Sequence, residues 1–415
     1  MFKSSFVFLF GEILSKLMPF LLMPYLTRAL GVDGFGELAN SLAYIAILLV
    51  FINCSQDGAL ARYYYFYGKR SIYTLLAVGY CYSLIISIFI LLVGLWLKDL
   101  YIVYGAAIAL SQSVMAVQLA LQQCQKKAIS YVTIQFSQSF ISVGLTLLLF
   151  SYYASGYEER LFSILIANIL SALIGVWITR SSTTVKLKIS KKQFILFGKY
   201  IFGFGSPLII HSLASAAKGQ FDKVYIAQAF NYEILGVYSA GLQIAMAVSV
   251  VLFAINKALV PYFFEALKAN KISMANINQW LFFYLLLCPL PAIFGYLLPD
   301  VAYNFVLGEG FVGVKYYTVV FLFGFSLMGA YLIMINVLFY YNKNKVIALS
   351  TLLSSIVYIL LMYLFSLVDV SYIPFSLIVS NIVMVAFLYG YIYKNKLLFF
   401  TKQSLSSPDS LKQEK

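Results

Sequence analysis

Ionisable side chains inside long apolar runs are the residues of this sequence best placed to do chemistry. A charge at the centre of a bilayer costs roughly 3 kcal/mol on insertion scales, so it is kept where it faces a cavity or a partner. The first apolar run holds Glu12 and Lys16, one helical turn apart in the acid-first order that favours pairing. Two readings are open: a self-neutralising pair packed in the interior, or a cavity-lining pair that meets a substrate or a coupling ion. Pro19 and Pro24 follow, so this helix is expected to kink, as a gate helix would. The run GSPLIIHSLASAAKGQFDK carries Pro207, His211, Lys218 and Asp222. These fall within about 60° of one another at 100° per residue, one polar stripe on an otherwise apolar helix. A lone histidine such as His211 is more often a satisfied structural residue than a ligand. Lys218 has no loop close enough to explain it and is the stronger cavity candidate.

Two further runs add polarity. INCSQDGALARYYYFYG, which ends the second run, brings Asn53, Gln56, Asp57 and Arg62 to one mouth. Arg62 reads either as a charge that anchors the helix at the membrane face or as a phosphate contact. The fourth run carries Gln112, Gln118, Gln122 and Gln123; Gln112 and Gln118 are candidate partners for sugar hydroxyls. No catalytic set accompanies them. There is no GxxxxGK[ST] loop to bind and hydrolyse ATP. Glu158 and Glu159 are adjacent and cannot flank one glycosidic bond. Cys54, Cys81, Cys124 and Cys288 show no CxxC spacing and read as small buried hydrophobes. The expectation is a protein that is not an enzyme and holds no metal or cofactor, a proton or sodium gradient being the one candidate for coupling.

The elements that position these residues are membrane helices. The 415 residues are 62% apolar and only 11% charged, with a mean hydropathy of +0.89, whereas a soluble protein carries about a quarter of its residues as charges. A window of about 19 residues places twelve spans near 5–27, 38–61, 72–97, 101–123, 131–153, 161–179, 200–222, 236–260, 277–299, 316–340, 346–367 and 372–393. These are about twice the length of a barrel strand and do not alternate, so they are read as helices. The first run lacks a small-residue cleavage site and is expected to stay as a span. The net charge of +14 is scattered between the runs, which argues against a nucleic-acid surface.

That charge orients the spans instead. With the N-terminus inside, Lys3, Arg62, Lys69, Arg70, Lys126, Lys127, the cluster from Arg180 to Lys199, Lys257, Lys268, Lys271, Lys343, Lys345 and a lysine-rich tail share one face. The opposite loops are neutral or slightly acidic, as the positive-inside rule requires. Both termini are therefore expected in the cytoplasm. The expected organisation is a six-helix bundle over 1–180, a basic cytoplasmic linker over 181–199, a second six-helix bundle over 200–395 and a polar tail over 396–415. The halves look related at an offset of 200: ALGVDGFGELANSLAYIAI from Ala29 aligns with AFNYEILGVYSAGLQIAMA from Ala229, pairing Asp33 with Glu233 and Gly36 with Gly236. Parallel repeats of this kind are typical of secondary transporters.

Several short elements also resemble a known family. PYLTRALGVDGFGELA (Pro24 to Ala39) resembles the R-x-L-G-x-x-x-F/Y-G opening of the polysaccharide transport family, which contains the Wzx-type O-antigen flippases. This family lies within the multidrug/oligosaccharidyl-lipid/polysaccharide exporter superfamily. DGALARYY from Asp57 is similar to its G-A-x-x-R-Y element, and SPLIIH, FDKVYIAQ and LGVYSAG (Ser206 to Gly241) to its later elements. VSYIPFSLIVSNIV, near the twelfth span, lacks the Gly-Ala-Ala run of many members. The resemblance implies an all-α, MATE-like, V-shaped carrier of two six-helix bundles around a cationic cavity. It would move an undecaprenyl-pyrophosphate-linked oligosaccharide, an O-antigen or capsule repeat unit, across the bacterial inner membrane by alternating access. Lys16, Lys218 and Arg62 would meet the pyrophosphate. Membrane lipid, a glycan polymerase and a chain-length regulator are the implied partners, and nucleic acid is not. A multidrug or small-solute exporter of the same superfamily is the alternative; a glycan polymerase is disfavoured because every outside loop is short.

Overall fold

In hydrocarbon a backbone amide finds no water, so an apolar run satisfies its own polar groups by coiling into a helix. The computed structural model describes residues 2–69, 71–181, 190–396 and 399; the side chains of 2–10, 12, 13, 16, 180 and 181 lie outside that description. Among the described residues every regular element is helical. The order is α1 (Phe2–Asn53), α2 (Gln56–Phe66), α3 (Ile72–Leu97), α4 (Leu100–Cys124), α5 (Ala128–Tyr152), α6 (Tyr157–Ser181), α7 (Lys191–Ala217) and α8 (Phe221–Ala229). There follow α9 (Tyr232–Lys268), α10 (Met274–Leu287), α11 (Leu290–Leu297), α12 (Asp300–Leu307), α13 (Val314–Ser326), α14 (Met328–Tyr340), α15 (Asn344–Ser366) and α16 (Phe375–Lys394).

Eleven segments among the described residues are long and apolar enough to cross a membrane. The first, Leu17–Phe66, contains Gly31 at φ 69°, a left-handed conformation that a residue with a side chain rarely adopts. Gly31 breaks that segment into two arms, so the crossings number twelve, as the hydropathy predicts. Pro19 and Pro24 lie within the helical part of α1 and Pro207 within α7. Left-handed residues interrupt two of the spans. In the second, Cys54 and Ser55 are both left-handed (φ 45° and 51°) between α1 and α2. In the seventh, the helix stops at Ala217 and restarts at Phe221, with Gly219 at φ 89° between.

The helices group into two compact units. Unit 1 comprises Met1–Gly236 with Asn304–Phe311, and unit 2 comprises Val237–Tyr303 with Val312–Lys415. Within unit 1 the sequence repeat meets itself. A methyl group on Gly36 would overlap the carbonyl oxygen of Tyr232, and one on Gly236 would overlap that of Val32. Residues 32 and 232, and 36 and 236, are the pairs related by the offset. Such a reciprocal contact, i on j and j on i, is what two copies related by a two-fold axis make. Around it, Arg28 donates to the carbonyl oxygens of Pro24 (2.8 Å), Val306 (3.3 Å) and Phe305, and Phe35 packs edge-on against Phe311. The core of unit 2 is built from α9, α10, α14, α15 and α16 around Ile277, Met334, Val337, Leu338 and Leu388.

Candidate functional site

The seventh span is the element on which the candidate residues converge. Ser190 and Gln193 start α7 with a reciprocal capping box, which fixes the helix start. From there α7 lies along the second span. Phe197 and Tyr200 pack edge-on against Tyr63; Tyr200 donates to Ala59 O at 3.3 Å; the Arg62 guanidinium sits 5.6 Å from the centre of the Phe204 ring. A methyl on Gly205 would overlap the carbonyl oxygen of Cys54. Only glycine permits this approach, and it falls on the interruption of span two.

The two spans also meet where the Gln228 amide donates to Tyr44 OH at 3.2 Å. Between these two contacts the seventh span runs for about 23 residues and the second for about ten. At 1.5 Å per residue these are about 35 Å and about 15 Å. The longer path cannot run straight; it bends at the interruption of residues 218–220. Lys218 caps the end of α7 at that bend (ψ 105°). Asp222 is fully buried in the first turn of α8, beside Lys223, and His211 is half-buried one and a half turns or more before the break. The single polar stripe expected from Pro207 to Asp222 requires one continuous helix. Gly219 interrupts it, so Asp222 belongs to a new helix with its own direction.

The other candidates divide by surroundings. Asp57 lies in the first turn of α2 and accepts from Asn53 Nδ2 at 3.0 Å; Ser113 donates to Asn53 Oδ1 at 3.0 Å. Ser83 meets Ser113 at 3.1 Å and accepts from Gln56 at 2.7 Å. This network spans the ends of the second-span interruption and ties it to α3 and α4. Gln118 is buried, donating to Tyr80 OH at 2.7 Å and accepting from Thr179 at 2.8 Å. Its amide is occupied within the bundle. Gln112 is half-buried on α4. The backbone of Glu12 and Lys16 lies in α1, and their side chains lie outside the described residues.

Two features escape sequence reading. Arg160, one residue before the sixth span as hydropathy places it, is 6% exposed and donates to Ser142 Oγ at 2.9 Å, Ser142 O at 3.2 Å and Thr146 Oγ1 at 2.6 Å. The signal was present in Ser142 and Thr146, two hydroxyls four residues apart on one face of the neighbouring span. The second is a ladder of stacked rings, Tyr44 on Tyr101 and Tyr101 on Tyr157, with Tyr101 OH donating to Tyr232 OH at 3.0 Å.

Among the described residues, twelve helical crossings, two of them broken by left-handed residues with charge beside the breaks, define an all-helical multi-pass membrane protein. The chain belongs to the polysaccharide biosynthesis protein family, whose model matches residues 1–267. It is 40% identical over 391 residues to Lsg locus putative protein 1 of Haemophilus influenzae, covering 94% of this chain and 97% of that protein. A putative O-antigen transporter of Shigella flexneri is 23% identical over 56% of this chain and 55% of its own length. Among solved structures, the lipid II flippase MurJ in an inward closed conformation superposes with a TM-score of 0.72 at 12% identity, covering 95% of this chain and 88% of that one. An inward-facing multidrug resistance MATE transporter gives 0.68 at 12% identity over 93% and 96%. The family resemblance read from the motifs and the MATE-like all-helical fold are thus borne out.

Proposed function

We propose that this protein carries an undecaprenyl-pyrophosphate-linked oligosaccharide, an O-antigen or capsule repeat unit, across the bacterial inner membrane by alternating access. Both termini face the cytoplasm in this reading, the two halves of the repeat move against each other, and a proton or sodium gradient drives the cycle. The observation that carries it is the bend at residues 218–220: a lysine at an interruption inside a membrane span, in a chain of a polysaccharide biosynthesis family. Interrupted spans supply helix ends and freed backbone groups to a substrate in carriers of this kind, and a diphosphate recruits ammonium and guanidinium donors. Lys218 is assigned to the diphosphate, with Arg62 and Lys16 as further cations along its path. His211, Asp222, Asp57 and Glu12 are the groups whose protonation or cation binding would couple to movement. Gln112 serves sugar hydroxyls. Pro19, Pro24 and Pro207 are assigned to flexing of the first span of each half. Lipid surrounds the carrier, and a glycan polymerase and chain-length regulator receive its product. No bond is made or broken on this chain, so it acts as a transporter rather than an enzyme.

Complementation of a strain lacking its own carrier tests this reading. Lys218→Ala is expected to abolish surface glycan at normal membrane abundance, and Lys218→Arg to retain part of it. Normal surface glycan from Lys218→Ala removes the diphosphate role. Uptake of small cationic drugs into vesicles, in place of glycan export, would move the assignment to the multidrug branch of the fold.

A further inference from the structure

Unit 2 holds a cavity of about 460 Å3 between α9, α10 and α14. Leu259, Phe263, Trp280, Leu332 and Ile333 are among its lining. Three of its polar side chains are bonded within the unit: Asn336 Nδ2 donates to Asn256 Oδ1 at 2.8 Å, and Tyr284 OH donates to Ser326 O at 2.5 Å. Walls of this kind offer a ligand dispersion and apolar burial and little hydrogen bonding, so the matching chemistry is a hydrocarbon chain. Ile255, Leu259, Tyr262 and Trp280, all on its lining, are also exposed, so the cavity opens on the surface of the unit.

The position along the helices narrows the occupant. Ala266 and Ile272 line one end of the cavity, and the turn between them carries Lys268 and Lys271, both exposed. Lys257 follows Asn256 on α9, and Glu265 is the acid of this stretch. Surplus positive charge at the rim suits a chain that ends in phosphate. The same turn is expected in the cytoplasm from the loop charges, the side from which a lipid-linked glycan is loaded.

We propose that this cavity receives a stretch of the isoprenoid tail of the carried lipid, with Lys268 and Lys271 meeting its phosphate while the lipid is still in the inner leaflet. This rests on the export reading above and adds a docking station for the tail, apart from the head-group contacts around Lys218. A carrier that gripped only the polar head would forgo the large apolar area the tail offers; a tail site recovers it and selects polyprenyl lipids from the bulk.

Trp280 supplies the reporter. In the full-length protein with Trp96→Phe and Trp177→Phe, Trp280 is the one tryptophan left, and a polyprenyl phosphate brominated along its chain quenches it on contact. Unlabelled polyprenyl phosphate is expected to reverse that quenching, with phosphatidylglycerol at the same mole fraction at least about tenfold less effective. Ala266→Phe and Ile333→Phe fill the cavity from opposite walls, and each is expected to weaken binding about tenfold, as excluding about two methylene groups would. Lys268→Gln with Lys271→Gln, on the exposed turn, is expected to weaken it several-fold and to remove its salt dependence. Thermal unfolding identifies which variants fold, and the lysine pair is read if a filled variant does not. Equal competition by phosphatidylglycerol, or unchanged binding in both a folded filled variant and the lysine pair, overturns the proposal. Tail binding in a protein that exports no glycan leaves the site standing and removes the export reading; export without tail binding removes the site alone.

Discussion

The two units satisfy their buried polar side chains in different ways. In unit 2 most buried hydroxyls bond their own helix: Ser249 to Met246 O, Thr318 to Val314 O, Ser326 to Leu322 O, Ser350 to Ile347 O and Ser376 to Ile373 O, each three or four residues back. In unit 1 hydroxyls also bond their own helix, Ser15 to Gly11 O and Ser111 to Ile108 O among them, but amide, hydroxyl and guanidinium groups additionally form networks across helices. Gln56 leads through Ser83 and Ser113 to Asn53 and Asp57, Gln118 joins Tyr80 to Thr179, Gln138 meets Asn168, and Arg160 holds Ser142 and Thr146. A hydroxyl that bonds its own helix moves with that helix, whereas an interhelical bond sets the position of a neighbour. Unit 1 is therefore the unit with the more connected interhelical polar networks, unit 2 having separate contacts such as Asn336 to Asn256 and Asn381 to Gly324 O. Unit 2 is held chiefly by apolar packing and has room for a cavity lined with hydrocarbon.

The largest expected effect sharpens this contrast through glycine. Gly36→Val drives a branched side chain into the backbone carbonyl of Tyr232, which has no flexible end to move aside. A loss of the order of 4 kcal/mol or more is expected, read as loss of folded protein from the membrane. Gly390, on α16 in unit 2, has open space where a Cβ would stand, with no neighbouring atom within 4 Å, and Gly390→Val is expected to stay within about 1 kcal/mol of the parent. Next in size is Gln118→Leu, which takes from Tyr80 OH its amide donor and from Thr179 Oγ1 its amide acceptor. About 1–3 kcal/mol should be lost in thermal unfolding of the solubilised protein, and the loss should be strongly non-additive with Thr179→Val. Smallest is Ser350→Ala in unit 2, expected within about 0.5 kcal/mol because its bond is local. If Ser350→Ala costs as much as Gln118→Leu, the distinction between the units fails.

The interruptions show how unevenly the site is legible in the sequence. Gly219 stands in plain view, yet a glycine inside an apolar run is compatible with an unbroken helix, and a stripe from Pro207 to Asp222 follows from treating it as one. The break at Cys54 and Ser55 has no local signal at all. Neither residue is a glycine or proline, and a left-handed pair of this kind costs conformational energy that surrounding contacts must offset. Here those contacts come from Gly205 against Cys54 and from Gln56, Asn53 and Asp57 in the network of α3 and α4. Gln118 illustrates the converse. It is legible as a polar residue on a span, but its bonds to Tyr80 and Thr179 direct it into the bundle, leaving Gln112 as the less committed of the two.

The number of crossings and the family were determined by the sequence by itself. Hydropathy is summed over about 20 neighbouring residues, and the family elements are runs of a few residues, so both survive without any knowledge of which helices meet. The offset repeat was legible for the same reason, down to the glycines that face each other in the fold. Only the tertiary structure decided which polar side chains spend their hydrogen bonds inside the bundle, where the second and seventh spans break, and where unit 2 leaves its cavity. Thr179 lies 61 residues from Gln118, and Val306 lies 278 from Arg28. Whether such a donor finds its acceptor depends on how helices pack, and in a membrane that packing follows from close contacts between small residues and interhelical bonds rather than from hydropathy.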